Sequence, residues 1–480
     1  MLKSILAAAL LAAAPSAAAA AAEANAALAR IDADRAANEA AAKAIWGFAE
    51  VGYQETRSSA LLQKRLKDAG FTVKAGVAGA PTAFTATWSN GAGPVIGIMG
   101  EYDALPGLSQ TADPTKTIRS DVSAGHGCGH HLFGVASASA AIAVRDWMKA
   151  SGTKGTIRFY GTPAEEGGAG KVYMVREGLF NDVDIALHWH PSSENSANVQ
   201  TSNSNKSAKF RFHGISAHAA GAPERGRSAL DGVEAMNVMA NMMHEHMPEK
   251  SRMHYVITAG GNAPNVVPDF AESFYYVRNP DAEVVRETFE RLVKTAEGAA
   301  LGTGTTVDYE VIHGALPLLP NRTLQTLVHS KLTEVGGVLY TPEDVAFAQK
   351  ITPTLGQTKA KLSDAALVEP MTESHEAGST DVGDVSWTVP TAGFSTATWV
   401  PGTPAHSWQA VAAGGTSIGM KGMQNAAKVL ALTAIDLFQK PNLIAAAKAE
   451  FQDRRGPDFV YRSLVGDRTP PLDYRNAPGK

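Results

Sequence analysis

The sequence predicts an α/β fold, in which a mainly parallel-sheet domain is interrupted by a smaller, inserted α+β domain. The chain has 480 residues, which is too long for one ordinary hydrophobic core, so two domains are expected. Apolar strand candidates alternate with helix candidates over most of the chain, as is typical of a mainly parallel sheet. Between residues 207 and 313 the predicted order changes to β-α-β-β-α-β, the ferredoxin-like arrangement.

The larger domain is predicted to be discontinuous, with residues 23–206 and 314–480 on either side of the insert at 207–313. Its predicted helices, identified from the spacing of apolar residues, are 23–50, 56–70, 132–150, 321–335 and 407–438. Its strand candidates are 71–74, 82–88, 94–100, 156–161, 183–189 and 392–398. Residues 440–480 are rich in prolines and charges and are predicted to wrap the surface. Polar residues concentrate after the strands, where ligand sites lie in such folds.

The N-terminus has the parts of a secretory signal peptide, which predicts that residues 1–22 are removed on export. Lys3 supplies a positive charge, residues 4–14 form an apolar run, and residues 15–22 are small and mostly alanine. The apolar run is too short to span a bilayer, so no membrane span is expected. The alternative is an uncleaved, alanine-rich helix. The signal predicts a periplasmic or secreted protein.

The net charge of −4 and the lack of a long basic stretch argue against binding to nucleic acid or to an anionic membrane surface. Cys128 is the only cysteine, which excludes an internal disulfide framework. In an oxidising compartment an accessible thiol would be oxidised or would pair with another chain. Burial or metal binding would protect it, and this favours Cys128 as a metal ligand.

Residues 125–134 contain the densest group of metal-capable side chains, namely His126, Cys128, His130 and His131. Glycines separate them, and glycine permits backbone angles that let neighbouring side chains point at one spot. Thiolate and imidazole are the usual ligands for zinc and related divalent metals. A glycine-rich turn with incidental histidines and a buried cysteine is the alternative.

Further polar residues follow predicted strand ends or lie late in the chain, namely Asp103, Glu165, Glu166, His188, His190 and His406. With Cys128 and His130 they can bind two divalent ions, and such ions polarise a carbonyl group and hold a water molecule. One glutamate of an adjacent pair can bind metal while its neighbour moves a proton. An isolated pair of glutamates is otherwise most often a solvated loop feature. His188 and His190 are predicted on the same face of one strand, so local sequence does not choose between them.

Several motifs occur in order along the chain, namely GEYDALPGLS (100–109), GHGCGH (125–130), TPAEEGG (162–168), DIALHWHP (184–191), GISAHAA (214–220), GGNAPNVVPD (260–269) and GSTD (378–381), followed by His406. Together they resemble the M20 metallopeptidase/amidohydrolase family. The resemblance covers residues 24–440 and is strongest to the branch that includes the B subunit of p-aminobenzoyl-glutamate hydrolase.

The resemblance implies roles for individual residues. The family's metal ligands match Cys128, His130, Glu166, His190 and His406. Glu165 matches the general base, and Asp103 matches the acidic residue that supports the metal site. His218 matches a histidine that stabilises the oxyanion in a partner subunit's active site, which implies a homodimer. Asn265 and Arg278 match positions that contact the substrate, often its carboxylate.

Two positions depart from the family pattern. His131 stands where many relatives have Asp or Asn, which predicts an extra imidazole near the metals. His188 and His190 are both available, and His190 is preferred as the ligand because it keeps the family's spacing from Asp184.

These observations predict a metal-dependent amidohydrolase that cleaves the amide bond of N-acyl or N-aroyl amino acids, such as p-aminobenzoyl-glutamate. Its expected cofactors are two divalent ions, Zn or Mn, with the thiolate favouring zinc. The expected partner is a small-molecule substrate, without nucleic acid. A metallo-dipeptidase, carboxypeptidase or aminoacylase of the same family is one alternative. An inactive, exported metal-binding scaffold is an alternative of another class.

Overall fold

The structure, a computed structural model, describes residues 17–475, with side chains from residue 25 onward. The helices are α1 (Ala17–Ala33), α2 (Arg35–Phe48), α3 (Thr56–Asp68), α4 (His130–Ser151), α5 (Glu165–Gly168), α6 (Gly170–Arg176), α7 (Ala229–Met243), α8 (Ala282–Thr303), α9 (Arg322–Val335), α10 (Pro342–Ile351), α11 (Val382–Ser386), α12 (Trp408–Gly414), α13 (Ser417–Gln439) and α14 (Pro441–Arg455). The strands are β1 (Thr72–Ala75), β2 (Phe84–Ser89), β3 (Val95–Gly100), β4 (Leu105–Pro106), β5 (Ala124–Gly125), β6 (Thr156–Gly161), β7 (Ile185–Leu187), β8 (His190–Ser192), β9 (Val199–Ser202), β10 (Ser204–His213), β11 (Arg252–Ala259), β12 (Phe270–Asn279), β13 (Thr306–Ala315), β14 (Glu373–Glu376), β15 (Thr391–Ala392) and β16 (Ser395–Ala397). Residues 1–16 of the predicted signal peptide lie outside the described residues.

The central sheet has six strands in the order β1-β2-β6-β3-β7-β15. Strands β6, β3, β7 and β15 run parallel, whereas β2 is antiparallel to both of its neighbours. This mainly parallel arrangement confirms the predicted α/β class. The pairing of β3 with β6 runs from Val95↔Thr156 to Gly100↔Gly161, so the two strands end at the same edge of the sheet. The polar residues that follow them therefore lie side by side.

Helix α4 packs against β3 and is largely buried, because small and apolar residues occupy most of its positions. Gly129 precedes it with a φ of 75°, a left-handed conformation that favours glycine. A Cβ atom at Gly129 would lie 2.6 Å from the Cβ atom of Pro191. Gly134 allows an equally close approach, since a Cβ there would lie 2.7 Å from the carbonyl oxygen of Glu101. These two glycines let α4 begin at the edge of the central sheet.

The residues from Ser204 to Ala315 form a separate, four-stranded antiparallel sheet in the order β11-β12-β10-β13. Helices α7 and α8 pack on this second sheet and on each other, which gives the chain order β-α-β-β-α-β. Buried aromatic residues, including Phe210, Phe212 and Phe289, form a hydrophobic core of its own. Strand β11 lies at one edge of this sheet.

Two helical regions differ from the prediction. The predicted helix at 407–438 is divided into α12 and α13, because the Thr416 hydroxyl accepts a hydrogen bond from the Ile418 amide at 3.3 Å and caps a new helix there. Residues 441–455, predicted to wrap the surface, instead form α14. Pro441 is the first residue of this helix, where a backbone N–H would have no hydrogen-bond partner within the helix, so proline is tolerated there. Among the described residues no single helix is long and apolar enough to cross a membrane. The pair α13 and α14 meets that test only jointly, across a bend of 98°.

Replacement of Gly129 by alanine is expected to destabilise the fold by about 2–5 kcal/mol, because left-handed strain and overlap with Pro191 add together. Gly152, at the other end of α4, is the matched control: its φ is 73°, but a Cβ there would meet nothing within 4 Å. Gly152→Ala should therefore cost only the backbone part, about 1–2 kcal/mol. Urea unfolding measures both free energies, and equal losses would contradict the packing argument.

Candidate active site and metal centre

The candidate site lies where β3 and β6 end and α4 begins. The structure brings together predicted residues from distant parts of the chain, namely Asp103, Cys128, His130, Glu165, Glu166, His190 and His406. All of these except the two buried residues Asp103 and His130 line a cavity of about 800 Å³.

Cys128, His130 and His190 form a first possible metal-binding group, whose ligand atoms all lie within 4.8 Å of one another. His130 Nδ1 donates a hydrogen bond to Asp103 Oδ1 at 2.8 Å, and His190 Nδ1 donates to the carbonyl oxygen of Pro191 at 2.7 Å. These bonds orient both rings and leave each Nε2 atom available to a metal ion.

Cys128 also belongs to a second group, with Glu166 and His406. His406 Nε2 lies 3.3 Å from Cys128 Sγ and 3.2 Å from Glu166 Oε1. The amide of His406 donates to the carbonyl oxygen of Gly127 at 2.9 Å, which holds this late loop against the cysteine. His406 has a φ of 58°, an uncommon conformation for a residue other than glycine.

The two groups fit a pair of divalent cations that share Cys128. His130 Nε2 and Glu166 Oε1 are buried, and neither has a partner in hydrogen-bond geometry within the described part of the chain, although Glu101 Oε2 lies 3.0 Å from His130 Nε2 and His406 Nε2 lies 3.2 Å from Glu166 Oε1. Burial and the Glu166 carboxylate raise the pKa of the Cys128 thiol, so a thiolate at this position requires a neighbouring cation. Thiolate, imidazole and carboxylate form a common donor set for zinc and similar ions.

Glu165 and Glu166 lie on residues 164–169, here called the Glu165–Glu166 loop. The Glu166 amide donates to Asp103 Oδ2 at 2.9 Å, which attaches this loop to the end of β3. Glu165 faces the cavity, and its carboxylate forms a third metal-capable group with Glu101 and His130. Burial and the negative charges of Glu101 and Glu166 raise its pKa well above the usual range for a glutamate. A carboxyl group with a raised pKa holds a proton more firmly than an ordinary glutamate.

A buried lysine, Lys171, completes the site and was not predicted from the sequence. Its Nζ atom lies 2.6 Å from Glu101 Oε1 and 2.6 Å from Asp381 Oδ1, with all three side chains buried. Burial alone would lower the pKa of Lys171, but Asp381 and Glu101 outweigh this effect and raise it. The signal in the sequence is a lysine just before the apolar residues 172–175, at the start of a short helix after the glutamate pair.

Three histidines near the predicted ligands lie outside the metal-capable groups. His131 belongs to none of these groups, and its Nε2 bonds the carbonyl oxygen of Gly414 at 3.0 Å, so it is not placed as a metal ligand. His126 likewise bonds the carbonyl oxygen of Ile45, at 3.1 Å. His188 and His190 are not on one continuous strand, since β7 ends at Leu187 and β8 begins at His190. Of these two, only His190 belongs to a metal-capable group of the described residues.

The remaining predicted residues, His218, Asn265 and Arg278, belong to the second sheet and its loops. His218 and Asn265 are exposed, and neither lines the cavity. His218 Nδ1 accepts hydrogen bonds from the amides of Ala220 and Gly221, at 3.2 and 3.0 Å. Arg278 lies on β12, half-buried, and likewise does not line the cavity.

Away from the metal-capable groups, the cavity wall combines apolar residues, such as Leu318 and Phe394, with polar and acidic ones. Ser192, Ser196, Asn198 and Gln200 line one part, and Glu194 and Glu376 add carboxylates at exposed positions. Among the described residues that line the cavity there is no lysine or arginine. A carboxylate on a bound molecule would therefore find its protein cation outside this wall.

A family model described as peptidase family M20/M25/M40 matches residues 97–410, which is more than half of the chain. The chain belongs to this family. It is 42% identical to the B subunit of p-aminobenzoyl-glutamate hydrolase from Escherichia coli (strain K12), over 88% of this chain and 93% of that protein. It is 31% identical to the Xaa-Arg dipeptidase of Mus musculus, over 88% of this chain and 90% of that protein. The crystal structure of a dinuclear metal binding peptidase from this family in Bacillus subtilis has the same fold, with a TM-score of 0.56 and 17% identity over 85% of this chain and 99% of that chain.

The family membership confirms the resemblance predicted from the motifs. It makes this M20 protein a hydrolase that acts on amide bonds. It also agrees with the two groups of metal-capable side chains that share Cys128.

Substitution of Lys171 by methionine should destabilise this M20 protein by about 3–5 kcal/mol, because it leaves Glu101 and Asp381 buried without their common cation. Urea unfolding measures the loss. Lys64, which pairs with Asp68 on the surface, provides the control, and Lys64→Met should change stability by less than about 1 kcal/mol. A similar effect of the two substitutions would argue against a buried ion-pair network.

Proposed function

We propose that this M20 protein is a metal-dependent amidohydrolase of N-acyl or N-aroyl amino acids, with p-aminobenzoyl-glutamate as the first substrate to test. The observation that carries the proposal is the position of Glu165, beside two metal-capable groups that share Cys128 at the wall of one cavity. The relative with 42% identity is named for hydrolysis of this substrate.

The proposed ligands of one ion are Cys128, His130 and His190, and those of the other are Cys128, Glu166 and His406. Divalent ions at such a site lower the pKa of water and polarise a carbonyl oxygen. Zinc or manganese would suit these donors, and the thiolate favours zinc. Asp103 would keep His130 in the tautomer that presents Nε2 to the ion.

Glu165 is the proposed general base. Its carboxylate would take a proton from the attacking water and deliver it to the nitrogen of the leaving amine. Burial and the charges of Glu101 and Glu166 raise the pKa of Glu165, which favours the carboxyl group that holds this proton between the two steps. Lys171 holds Glu101 from the other side, so the carboxylates keep separate positions.

A homodimer is proposed to complete the site, with the second sheet as a lid and dimerisation domain. His218 of the partner subunit would stabilise the developing oxyanion, while Asn265 and Arg278 would contact the substrate carboxylate. Large apolar side chains are exposed on α7 and on the edge strand β11, including Val238, Met242, Val256 and Ile257. A second copy of this chain that pairs with β11 would cover them.

Export to the periplasm or outside the cell also remains a proposal, supported by residues 1–22. The relative with 42% identity is named as one subunit of its enzyme, so the requirement for a second type of subunit is a further point to test. Co-expression with a candidate second subunit, followed by an assay of p-aminobenzoyl-glutamate hydrolysis, would test this requirement.

A dipeptidase that releases a basic amino acid is the second candidate function. The exposed carboxylates of Glu194 and Glu376 in the cavity wall favour a cationic side chain, and the relative with 31% identity is named an Xaa-Arg dipeptidase. Both candidate functions would use the same metal centre, and they differ in the side chain of the amino acid that is released.

The Glu165→Gln variant should bind metal as the wild type does and lose turnover by about 10²–10⁴-fold, because its amide cannot take up the proton from water. Zinc content and hydrolysis of p-aminobenzoyl-glutamate are measured on the same sample. Glu177→Gln, at an exposed position after α6, is the matched control and should retain full activity. Wild-type turnover in Glu165→Gln would rule out this mechanism. Bound metal without hydrolysis of any amide by the wild type would favour the scaffold alternative.

A substrate comparison separates the two candidate functions. The double variant Glu194→Gln/Glu376→Gln removes two negative charges from the cavity wall. The loss of negative charge should lower KM for p-aminobenzoyl-glutamate, whose amino acid has a carboxylate side chain, and should raise KM for a dipeptide ending in arginine, whose side chain is cationic. The substrate with the higher kcat/KM in the wild type is the preferred one. Steady-state kinetics with both substrates measures the changes, and a loss of activity on both would contradict this account of the cavity wall.

A further inference from the structure

The C-terminal segment, residues 456–475, runs from the second sheet to the Glu165–Glu166 loop. Arg468 forms an ion pair with Glu310 on β13 of the second sheet at 2.7 Å, and Arg462 forms another with Glu283 on α8, which packs on that sheet, at 3.1 Å. At its far end, the last two described residues of the chain reach the loop. This segment has no regular secondary structure, and it contacts both the second sheet with its helix α8 and the Glu165–Glu166 loop of the larger domain.

Both backbone polar groups of Glu166 are held by other parts of the chain. Its amide donates to Asp103, and its carbonyl oxygen accepts a hydrogen bond from the Tyr474 hydroxyl at 2.9 Å. The Arg475 guanidinium donates to the same carbonyl oxygen. A charged donor and a neutral donor on one oxygen form a strong anchor in a partly buried environment.

The backbone of the Glu165–Glu166 loop needs such an anchor. Ala164 and Ala169, on either side of the two glutamates, have φ values of 56° and 58°, and Gly167 has a φ of 91°. Left-handed conformations of alanine are strained, and they persist only where surrounding contacts enforce them. These strained residues flank Glu165 and Glu166, so their backbone conformation determines whether the two carboxylates face the cavity.

A recess in the larger domain is shaped for Tyr474. A Cβ atom at Gly52 would lie 2.3 Å from the Tyr474 hydroxyl, so glycine is needed for the tyrosine to enter. The ring of Tyr53 packs edge-on against that of Tyr474, with centroids 5.9 Å apart. Gln54 donates to the carbonyl oxygen of Leu472 at 2.9 Å, which fixes the approach of the segment.

We propose that Tyr474 and Arg475 are positioning residues for Glu166 and Glu165. By holding the Glu166 carbonyl oxygen they keep the strained loop in the conformation that aims both carboxylates into the cavity. Because the same segment is tied to the second sheet, a displacement of that sheet would reach the two glutamates through it. This inference rests on the proposed function of the loop.

The test is the full-length double variant Tyr474→Phe/Arg475→Met, compared with each single variant. Loss of groups that orient metal ligands lowers metal affinity or activity by about 10–100-fold. We therefore expect zinc affinity and kcat each to fall by about 10–100-fold in the double variant, with KM within about threefold of wild type. Zinc titration by calorimetry and steady-state kinetics provide the values. Arg475→Lys, which retains a donor, should recover part of the loss.

Tyr461→Phe is the matched control. It removes a hydroxyl from the same segment, but this hydroxyl donates to Asp384 at 2.7 Å and does not contact the loop. This control should retain wild-type zinc affinity and kcat, even if its stability to urea falls.

Wild-type zinc affinity and kcat in the double variant would overturn the proposal, and so would an equal loss in Tyr461→Phe, which would indicate a general effect on the fold. Zinc affinity is measured without a substrate. If the wild-type protein bound zinc and cleaved no amide, the proposed function would fail, while the zinc titrations would still decide whether Tyr474 and Arg475 position Glu166.

Discussion

The carboxylate of Asp103 joins the two halves of the candidate metal centre. One of its oxygens accepts from His130 Nδ1 at 2.8 Å, and the other accepts from the Glu166 amide at 2.9 Å. The first bond orients a side chain at the start of α4, and the second fixes the loop that follows β6. Because Asp103 follows β3, the register between β3 and β6 sets the distance between the two groups of ligands. The register of the sheet therefore determines, through the buried Asp103 side chain, where His130 and Glu166 lie relative to each other.

The same edge of the sheet concentrates negative charge, and this explains much of the surrounding architecture. Burial raises the pKa of Glu165, and repulsion from the neighbouring carboxylates of Glu101 and Glu166 raises it further. Lys171 compensates Glu101 and Asp381 through two buried ion pairs. Glu165 and Glu166 are left to face the cavity, where divalent ions would provide the remaining positive charge. Lys171 is thus the fixed positive charge of the site, and the proposed metal ions would be its exchangeable positive charges.

How far the sequence predicted this site depends on the kind of signal that each residue carries. Asp103, Glu165 and Glu166 follow strands whose apolar pattern is clear, and the parallel sheet then requires their proximity. His406 has no such local signal and was identified only by resemblance. Two breaks in secondary structure were not predicted. Strand β7 ends at Leu187, which separates His188 from His190, and the Thr416 cap divides a continuous apolar pattern into two helices.

The residues that were missed act through features that leave little trace in a sequence. Lys171 stands beside apolar neighbours, where a lysine is far more often a solvated residue than a buried cation. Tyr474 and Arg475 bind a backbone carbonyl oxygen, and every residue has one, so no motif marks the acceptor. Their segment lacks a helical or strand period, and its contacts lie about 300 positions away in the chain. Such contacts are recognised only when the fold is known.

The distribution of charge in the cavity also bears on how the active form is assembled. The described wall of the cavity contains carboxylates and no lysine or arginine, whereas Arg278 lies on the second sheet and His218 on its exposed loop. Under the proposed function, a substrate carboxylate would meet Arg278 only if that sheet moved over the cavity or belonged to a second copy of the chain. Arg468 of the C-terminal segment pairs with Glu310 on β13 of that sheet, while Tyr474 and Arg475 bond the carbonyl oxygen of Glu166. The second sheet and the Glu165–Glu166 loop are therefore connected by one segment of the chain, and under the proposed function a displacement of the sheet would reach the loop through it.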